Sequence, residues 1–393
     1  DIYIVNTCSV TNIADKKSRQ MLHRARKMNP DGIVIAAGCY VQSAREILEQ
    51  DEAIDIVISN NKKKSITEIV NDYINVRNNG KNAPGKDHEA MEYFVDISRE
   101  TEYEEMGGHV PVGHTRAYVK IQDGCNQFCS YCIIPYVRGR IRSRSQEAIL
   151  AEVSELAEAG IKEVVLTGIH ISSYGKDKNN EGALIELIEA ISKIKGIKRI
   201  RLGSLEPGII TEEFVERISS NSKVCPHFHL SLQSGCDSVL KRMNRKYTCK
   251  QYFEKCDMLR KAYKSPALTT DVIVGFPGET EEEFAETVRY LTELNLYEMH
   301  IFKYSPRKGT VAAAMKEQVA PEIKNERSDV LLKLAYDNKT AYEAQFDGCE
   351  LEVLVEEVVK KDNKTYLRGH TERYMDILID VGDISMPESF VNS

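Results

Sequence analysis

From Thr115 onward, short apolar runs alternate with helical patterns for about 220 residues. Six of the runs read as strands: 116–121 (RAYVKI), 163–168 (EVVLTG), 198–204 (KRIRLGS), 227–233 (HFHLSLQ), 268–276 (LTTDVIVGF) and 298–304 (EMHIFKY). Between them lie amphipathic segments such as SQEAILAEVSELAEAG (145–160), which stops at Gly160 as a glycine-capped helix does. Strands separated by helices pair in parallel, because each crossover returns the chain to the same sheet edge. Six such units predict an α/β fold with a barrel or partial barrel, its chemistry at the carboxyl ends of the strands.

The same alternation appears earlier and on a smaller scale. IYIVNTC (2–8), GIVIAAGC (32–39) and IDIVIS (54–59) read as buried strands, with helices over 14–28 and 43–50 between them. They predict a small parallel α/β domain at 1–75. Residues 76–114 turn polar and rich in Gly, Asn and Pro, the composition of a linker. The barrel is expected over 115–338, ending in a charged helix from about 321 to 346. The tail, 339–393, shifts to short alternating strands and predicts a small β-barrel. The chain opens at Asp1, inside a strand-like run, and is expected to lack a first strand and helix. No apolar run spans a bilayer and no signal peptide is visible, so no membrane partner and a cytoplasmic location are expected.

The cysteines narrow the chemistry. Cys125, Cys129 and Cys132 stand in GCNQFCSYC directly after the first barrel strand, three of the ten cysteines in nine residues. In a reducing compartment such a cluster binds metal rather than forming disulfides. Three thiolates fit three irons of a cubane with the fourth iron open, or a zinc knuckle completed by a distant residue such as His227 or His229. Cys8 and Cys39 each end an apolar strand, which places both thiols at one edge of a parallel sheet. Cys225, Cys236, Cys249, Cys256 and Cys349 lack metal-ligand spacing and read as core or surface thiols.

CxxxCxxC with Tyr131 beside the last cysteine resembles the signature of the radical S-adenosylmethionine (SAM) superfamily. VNTCSVTNIADKKSRQ (5–20), AAGCYVQ (36–42), IIPYVRGRIRSR (133–144), LTGIHISSYG (166–175), HLSLQSG (229–235), MNRKY (243–247), TDVIVGFPGET (270–280) and YSPRKGT (304–310) follow in order. Together they resemble the methylthiotransferases, and LVEE and GHTERY in the tail resemble their RNA-binding TRAM module. The resemblance covers essentially the whole chain.

That resemblance implies a partial (β/α)6 barrel and a [4Fe-4S] cluster on Cys125, Cys129 and Cys132 whose open iron binds SAM. It also implies an auxiliary [4Fe-4S] cluster at Cys8 and Cys39, whose third family ligand lies on an earlier strand and is not in this chain. In this family SAM yields a 5′-deoxyadenosyl radical, the radical removes a substrate hydrogen, sulfur is inserted, and a second SAM donates the methyl group. SAM contacts are expected from Tyr131, Gly168, Ser204, Glu206, Gln233, Arg245 and Gly275. RNA contacts are expected from Arg138, Arg140, Arg142 and Arg144, and from Lys16, Lys17 and Arg19 on the basic helix at 14–28. The net charge of −7 opposes an all-over nucleic-acid surface but not such local tracts.

The TCSVTN…ADKKSRQ and HFHLSLQSGC blocks resemble the MtaB-type branch. The implied reaction is methylthiolation of carbon 2 of N6-threonylcarbamoyladenosine at position 37 of tRNA, in the anticodon stem-loop, with electrons from a donor such as flavodoxin or ferredoxin. The alternatives are the isopentenyladenosine-37 branch and the branch acting on a ribosomal-protein aspartate. From a different class, a non-catalytic, metal-stabilised RNA-binding protein would keep the scaffold without the chemistry.

Overall fold

The computed structural model describes residues 1–78, 93–108, 110–111, 113–362 and 364–382. The expected linker at 76–114 and the end of the tail fall partly outside these residues. The chain forms two compact units from interleaved segments. One comprises Asp1–Met106, Asp123–Arg142 and Ser305–Met315; the other comprises Gly107–Gln122, Ser143–Tyr304 and Lys316–Ser393.

In the first unit, strands β1 (Ile2–Thr7), β2 (Ile33–Gly38) and β3 (Ile56–Ile58) form a parallel sheet of order β1-β2-β3. All six residues of β2 are buried, because a helix covers each face of the sheet. Leu22 and Ala25 of helix Asn12–Met28 pack with Val34 and Ala36. Ile69, Val70 and Tyr73 of helix Ile66–Asn78 pack with Ile33, Ile35 and Ala37 on the opposite face. Fully burying a side chain such as Leu22 contributes about 1.5–3 kcal/mol. Thr11 caps the first helix by accepting from the Ala14 N–H. The helix expected at 43–50 forms as two short turns, Cys39–Ser43 and Arg45–Glu49.

The second unit holds the six expected barrel strands: β4 (Arg116–Asp123), then, after the two-residue β5 (Arg142–Ser143), β6 (Glu163–Gly168), β7 (Arg199–Leu202), β8 (His227–His229), β9 (Ala267–Val274) and β10 (Glu298–Lys303). They form sheets of order β5-β4-β6-β7 and β10-β9-β8. Single parallel bridges, Ile200 to Val224 and Leu205 to Leu230, join the two into a curled half-barrel. The ladder of β8 stops at His229, short of the expected 233. The chain stays extended until Gln233, a non-glycine residue held at φ +77°. Outward-facing residues such as Val119, Leu166, Ile200, Phe228 and Val272 pack against the crossover helices in one large core.

The tail forms an antiparallel sheet of β11 (Val353–Lys361), β12 (Lys364–Thr371) and β13 (Asp376–Asp380). It is held by arginines from the amino ends of the barrel strands. Arg199 donates to the carbonyls of His370 and Glu352, and Arg201 to those of Glu372 and Thr371. Arg201 also pairs at 2.7 Å with Glu163, which is 1% exposed. The ring of Tyr374 stacks on His370, with the guanidinium carbons of Arg116 and Arg201 5.0 and 4.8 Å from its centroid. No helix among the described residues is long and apolar enough to cross a membrane.

Candidate active site

In the first unit, the cysteine loop leaves Asp123 through Gly124, which sits at φ +71°. A Cβ there would lie 1.7 Å from the Arg140 carbonyl oxygen, so only glycine allows the loop to fold back on itself. The Cys125 N–H donates to the Gly139 carbonyl at 3.0 Å, and the Cys132 N–H to the Cys129 carbonyl at 2.9 Å. The Gln127 N–H points at Cys125 Sγ, 3.4 Å away. All three cysteines are half-buried thiols outside any disulfide. Three thiols on one pinned loop, one of them already receiving a backbone N–H, are a donor set that suits an iron–sulfur cluster with an open iron. Tyr131 is half-buried on the same loop.

Thr7 pairs with Gly38 across β1 and β2, so Cys8 and Cys39 follow side by side at the carboxyl edge, as expected. The strands are close there: a Cβ on Gly38 would lie 2.4 Å from the Thr7 carbonyl oxygen. Cys8 is exposed and Cys39 buried. Cys39 packs on Ile133 and Val137, just beyond the cysteine loop. Asn60 Nδ2 holds the Val137 carbonyl at 2.7 Å.

The four arginines of RGRIRSR separate by environment. Arg138 turns inward, its Nε donating to Cys39 Sγ at 3.0 Å and its Nη1 to Asp123 at 3.2 Å. Burial works against its charge, but Asp123 and Cys39 outweigh burial and hold its pKa above the ordinary arginine value. Arg142 is 1% exposed and donates to the carbonyls of Arg138 and Arg140. Arg144, in the second unit, is buried and pairs with Glu152. The expectation of phosphate contacts is therefore corrected for these three, whose guanidiniums are engaged by protein groups. Arg140 is exposed, its guanidinium 4.6 Å from the Phe128 ring, and so are Lys16, Lys17 and Arg19.

Arg307 of YSPRKGT belongs to this unit. It is buried and binds Ser9 Oγ at 2.8 Å, Asn12 Oδ1 at 2.7 Å and Asp15 at 2.8 Å, just after Cys8. The same segment reaches the cysteine loop, where the Ala312 N–H donates to the Ser130 carbonyl at 2.8 Å. Only the arginine's place in a motif block hinted at this.

In the second unit, three of the expected SAM residues converge at the strand ends. Gly168 ends β6 against Gln122, which a Cβ would meet at 2.9 Å. Gln122 Oε1 accepts the His170 N–H at 2.8 Å, His170 Nε2 lies 3.3 Å from Glu206, and Arg245 lies 4.0 Å beyond on the other carboxylate oxygen. Burial raises the Glu206 pKa, but His170 and Arg245 outweigh burial and leave it below the ordinary value. Arg245 is anchored by the Ser231 carbonyl at 3.2 Å and by Tyr247 Oη at 2.8 Å. Sequence alone does not single out Gln122 or His170, although His170 ends the LTGIH motif.

Ser204 is exposed past β7. Gln233 bridges to β9, accepting the Ile273 N–H at 2.9 Å. Gly275, at φ +69°, gives its N–H to Glu279 at 2.6 Å, and a Cβ would strike Lys324 Cγ at 2.3 Å. The close approach that this glycine allows is thus made by the Lys324 side chain.

Residues 119–291 match the radical SAM superfamily, and residues 1–59 match the uncharacterized protein family UPF0004. A threonylcarbamoyladenosine tRNA methylthiotransferase MtaB from Bacillus subtilis is 39% identical over 96% of this chain and 82% of its own length. The Thermotoga maritima protein of that name is 37% identical over 95% of this chain and 81% of its own. A tRNA-2-methylthio-N(6)-dimethylallyladenosine synthase from Thermoanaerobacter pseudethanolicus is 36% identical over 100% of this chain and 81% of its own. Among solved structures, the radical SAM methyltransferase TsrM from Kitasatospora setae superposes with a TM-score of 0.59 at 15% identity, covering 79% of this chain and 65% of that one, a likeness of fold. The chain belongs to the radical SAM methylthiotransferase family, enzymes that use a [4Fe-4S] cluster and S-adenosylmethionine.

Proposed function

We propose that this chain methylthiolates carbon 2 of N6-threonylcarbamoyladenosine at position 37 of tRNA. The observation that carries the reading is near-full-length identity of 37–39% to three relatives named for that nucleoside. A flexible anticodon loop suits the reaction, because its bases unstack readily into a pocket. The dimethylallyladenosine synthases, at 36% identity, support the runner-up substrate.

Cys125, Cys129 and Cys132 would hold the SAM-binding cluster, and Cys8 and Cys39 would contribute to the auxiliary one. When bound, these clusters supply the electron for SAM cleavage and the sulfur for insertion. The chain's own residues bind and orient. The Gly168, Glu206 and Arg245 group is charged and anchored, which suits the amino and carboxylate ends of SAM. Ser204, Gln233 and Gly275 would add to that group, and Tyr131 is proposed as a SAM contact beside the cysteines of its own unit. Arg140, Lys16, Lys17 and Arg19 remain as phosphate contacts for the anticodon stem-loop. We assign the α/β domain to 1–75, the linker to 76–114, the radical SAM domain to 115–338 and the TRAM-like RNA-binding domain to 339–393. A flavodoxin or ferredoxin donor and a cytoplasmic setting complete the proposal.

The test is anaerobic turnover with SAM on two tRNAs, one carrying N6-threonylcarbamoyladenosine-37 and the other isopentenyladenosine-37, followed by nucleoside mass spectrometry. A 2-methylthio product on the first is expected. Product on the second alone overturns the substrate assignment.

A further inference from the structure

His229 on β8, Asp271 on β9 and His300 on β10 come from three neighbouring parallel strands. The register sets His229 opposite Thr269 and His300 opposite Asp271. Leu268, Val272 and Val274 of β9 belong to the core beneath the helices, so Thr269 and Asp271 face the barrel interior. The donor atoms of the three side chains lie within 4.8 Å of one another. His229 Nδ1 is 2.9 Å from the Thr269 hydroxyl, which fixes the ring. Its Nε2 is buried without a hydrogen-bond partner, and Asp271 Oδ2 is 3.4 Å away. The His300 ring stacks on it with centroids 5.8 Å apart.

A buried ring nitrogen that makes no hydrogen bond is costly unless a ligand satisfies it. A ring held through its other nitrogen is how metal-ligating histidines are oriented. Neither the iron–sulfur role proposed for the cysteines nor the role of the Glu206 group uses these residues. We propose that His229 Nε2, the Asp271 carboxylate and a His300 ring nitrogen bind a first-row divalent transition cation. Two imidazoles and one carboxylate favour such an ion over Mg²⁺ or Ca²⁺. Three protein ligands leave coordination positions open towards the barrel interior for an oxygen or nitrogen donor of a bound ligand.

The test uses the full chain, anaerobically reconstituted and freed of loose metal, titrated with MnCl2 while free aquo-Mn²⁺ is followed by electron paramagnetic resonance. Mn²⁺ prefers nitrogen and oxygen donors to thiolates, so the cysteines compete poorly. One saturable Mn²⁺ per chain is expected. His300→Ala, at an exposed position, and Asp271→Asn, which keeps the shape, should each weaken it by at least about tenfold with iron content unchanged. No saturable site, or equal affinity in both variants, overturns the assignment. Impaired tRNA turnover with Mn²⁺ binding intact also overturns it and gives the three side chains to the RNA substrate.

Discussion

Arg138 is the residue whose replacement tests the cysteine geometry most directly. Its Nε lies 3.0 Å from Cys39 Sγ, and its second contact is Asp123 at 3.2 Å. A charge-assisted hydrogen bond contributes about 1.5–3 kcal/mol. A positive donor favours the more negative, reduced form of a cluster ligated by that sulfur, so it raises the reduction potential. On a one-electron scale, where about 59 mV equals a tenfold change or about 1.4 kcal/mol, the full bond corresponds to roughly 65–130 mV. Arg138→Met should therefore lower the auxiliary-cluster potential by up to that amount, and Arg138→Lys, which keeps the charge, by less than half of it. The assay is a potentiometric titration followed by paramagnetic resonance, with Cys125, Cys129 and Cys132 replaced by Ala to isolate the second cluster. If Arg138→Met loads iron normally and shifts the potential by less than about 20 mV, the arginine does not act on Cys39 and the reasoning fails.

Three further outcomes follow from other contacts. Gly124→Ala drives a Cβ into the Arg140 carbonyl from a left-handed backbone, so the variant should lose most of the iron bound by the three-cysteine loop, measured as iron and sulfide per chain. Arg201→Met leaves Glu163 buried beside Arg199 alone, at 3.9 Å, and should cost about 3 kcal/mol, read as a lower urea midpoint. Arg242 and Ser238 hold the Glu283 pKa at about 2, below its ordinary 4.5. The stability it contributes is complete above pH 4.5 and is lost as the pH falls towards 2, so Glu283→Gln should flatten that part of the acid-unfolding curve.

The barrel was legible because each strand's outward face is apolar and each helix carries a matching stripe, a pattern local to the sequence. The continuous ladder of β8 ends at His229 because pairing beyond it breaks into single bridges, Leu230 to Leu205 and Gln233 to Val272, and composition does not display that irregularity or the left-handed backbone at Gln233. Helix Ile66–Asn78 went unassigned although Ile66, Ile69, Val70 and Tyr73 carry helical spacing. The cysteines were visible because metal chemistry needs that residue type at close spacing. The arginines were misread because charge says nothing of direction: Arg138 and Arg142 point inward to partners that only the fold supplies. His229, Asp271 and His300 lie far apart in sequence and meet only through strand order.

The Arg307 contact also bears on how the protein is made. Ser9 and Arg307 are 298 residues apart, yet they belong to one compact unit. A ribosome releases the β1–β3 sheet early, but the arginine that joins Ser9, Asn12 and Asp15 emerges only after most of the barrel has been synthesised. The cysteine edge of the nascent sheet therefore waits, incomplete, through most of translation. Such long closure slows folding and leaves the thiols of Cys8 and Cys39 open to oxidation or to adventitious metal. Iron loading at that edge is then expected to succeed best after chain release rather than during elongation.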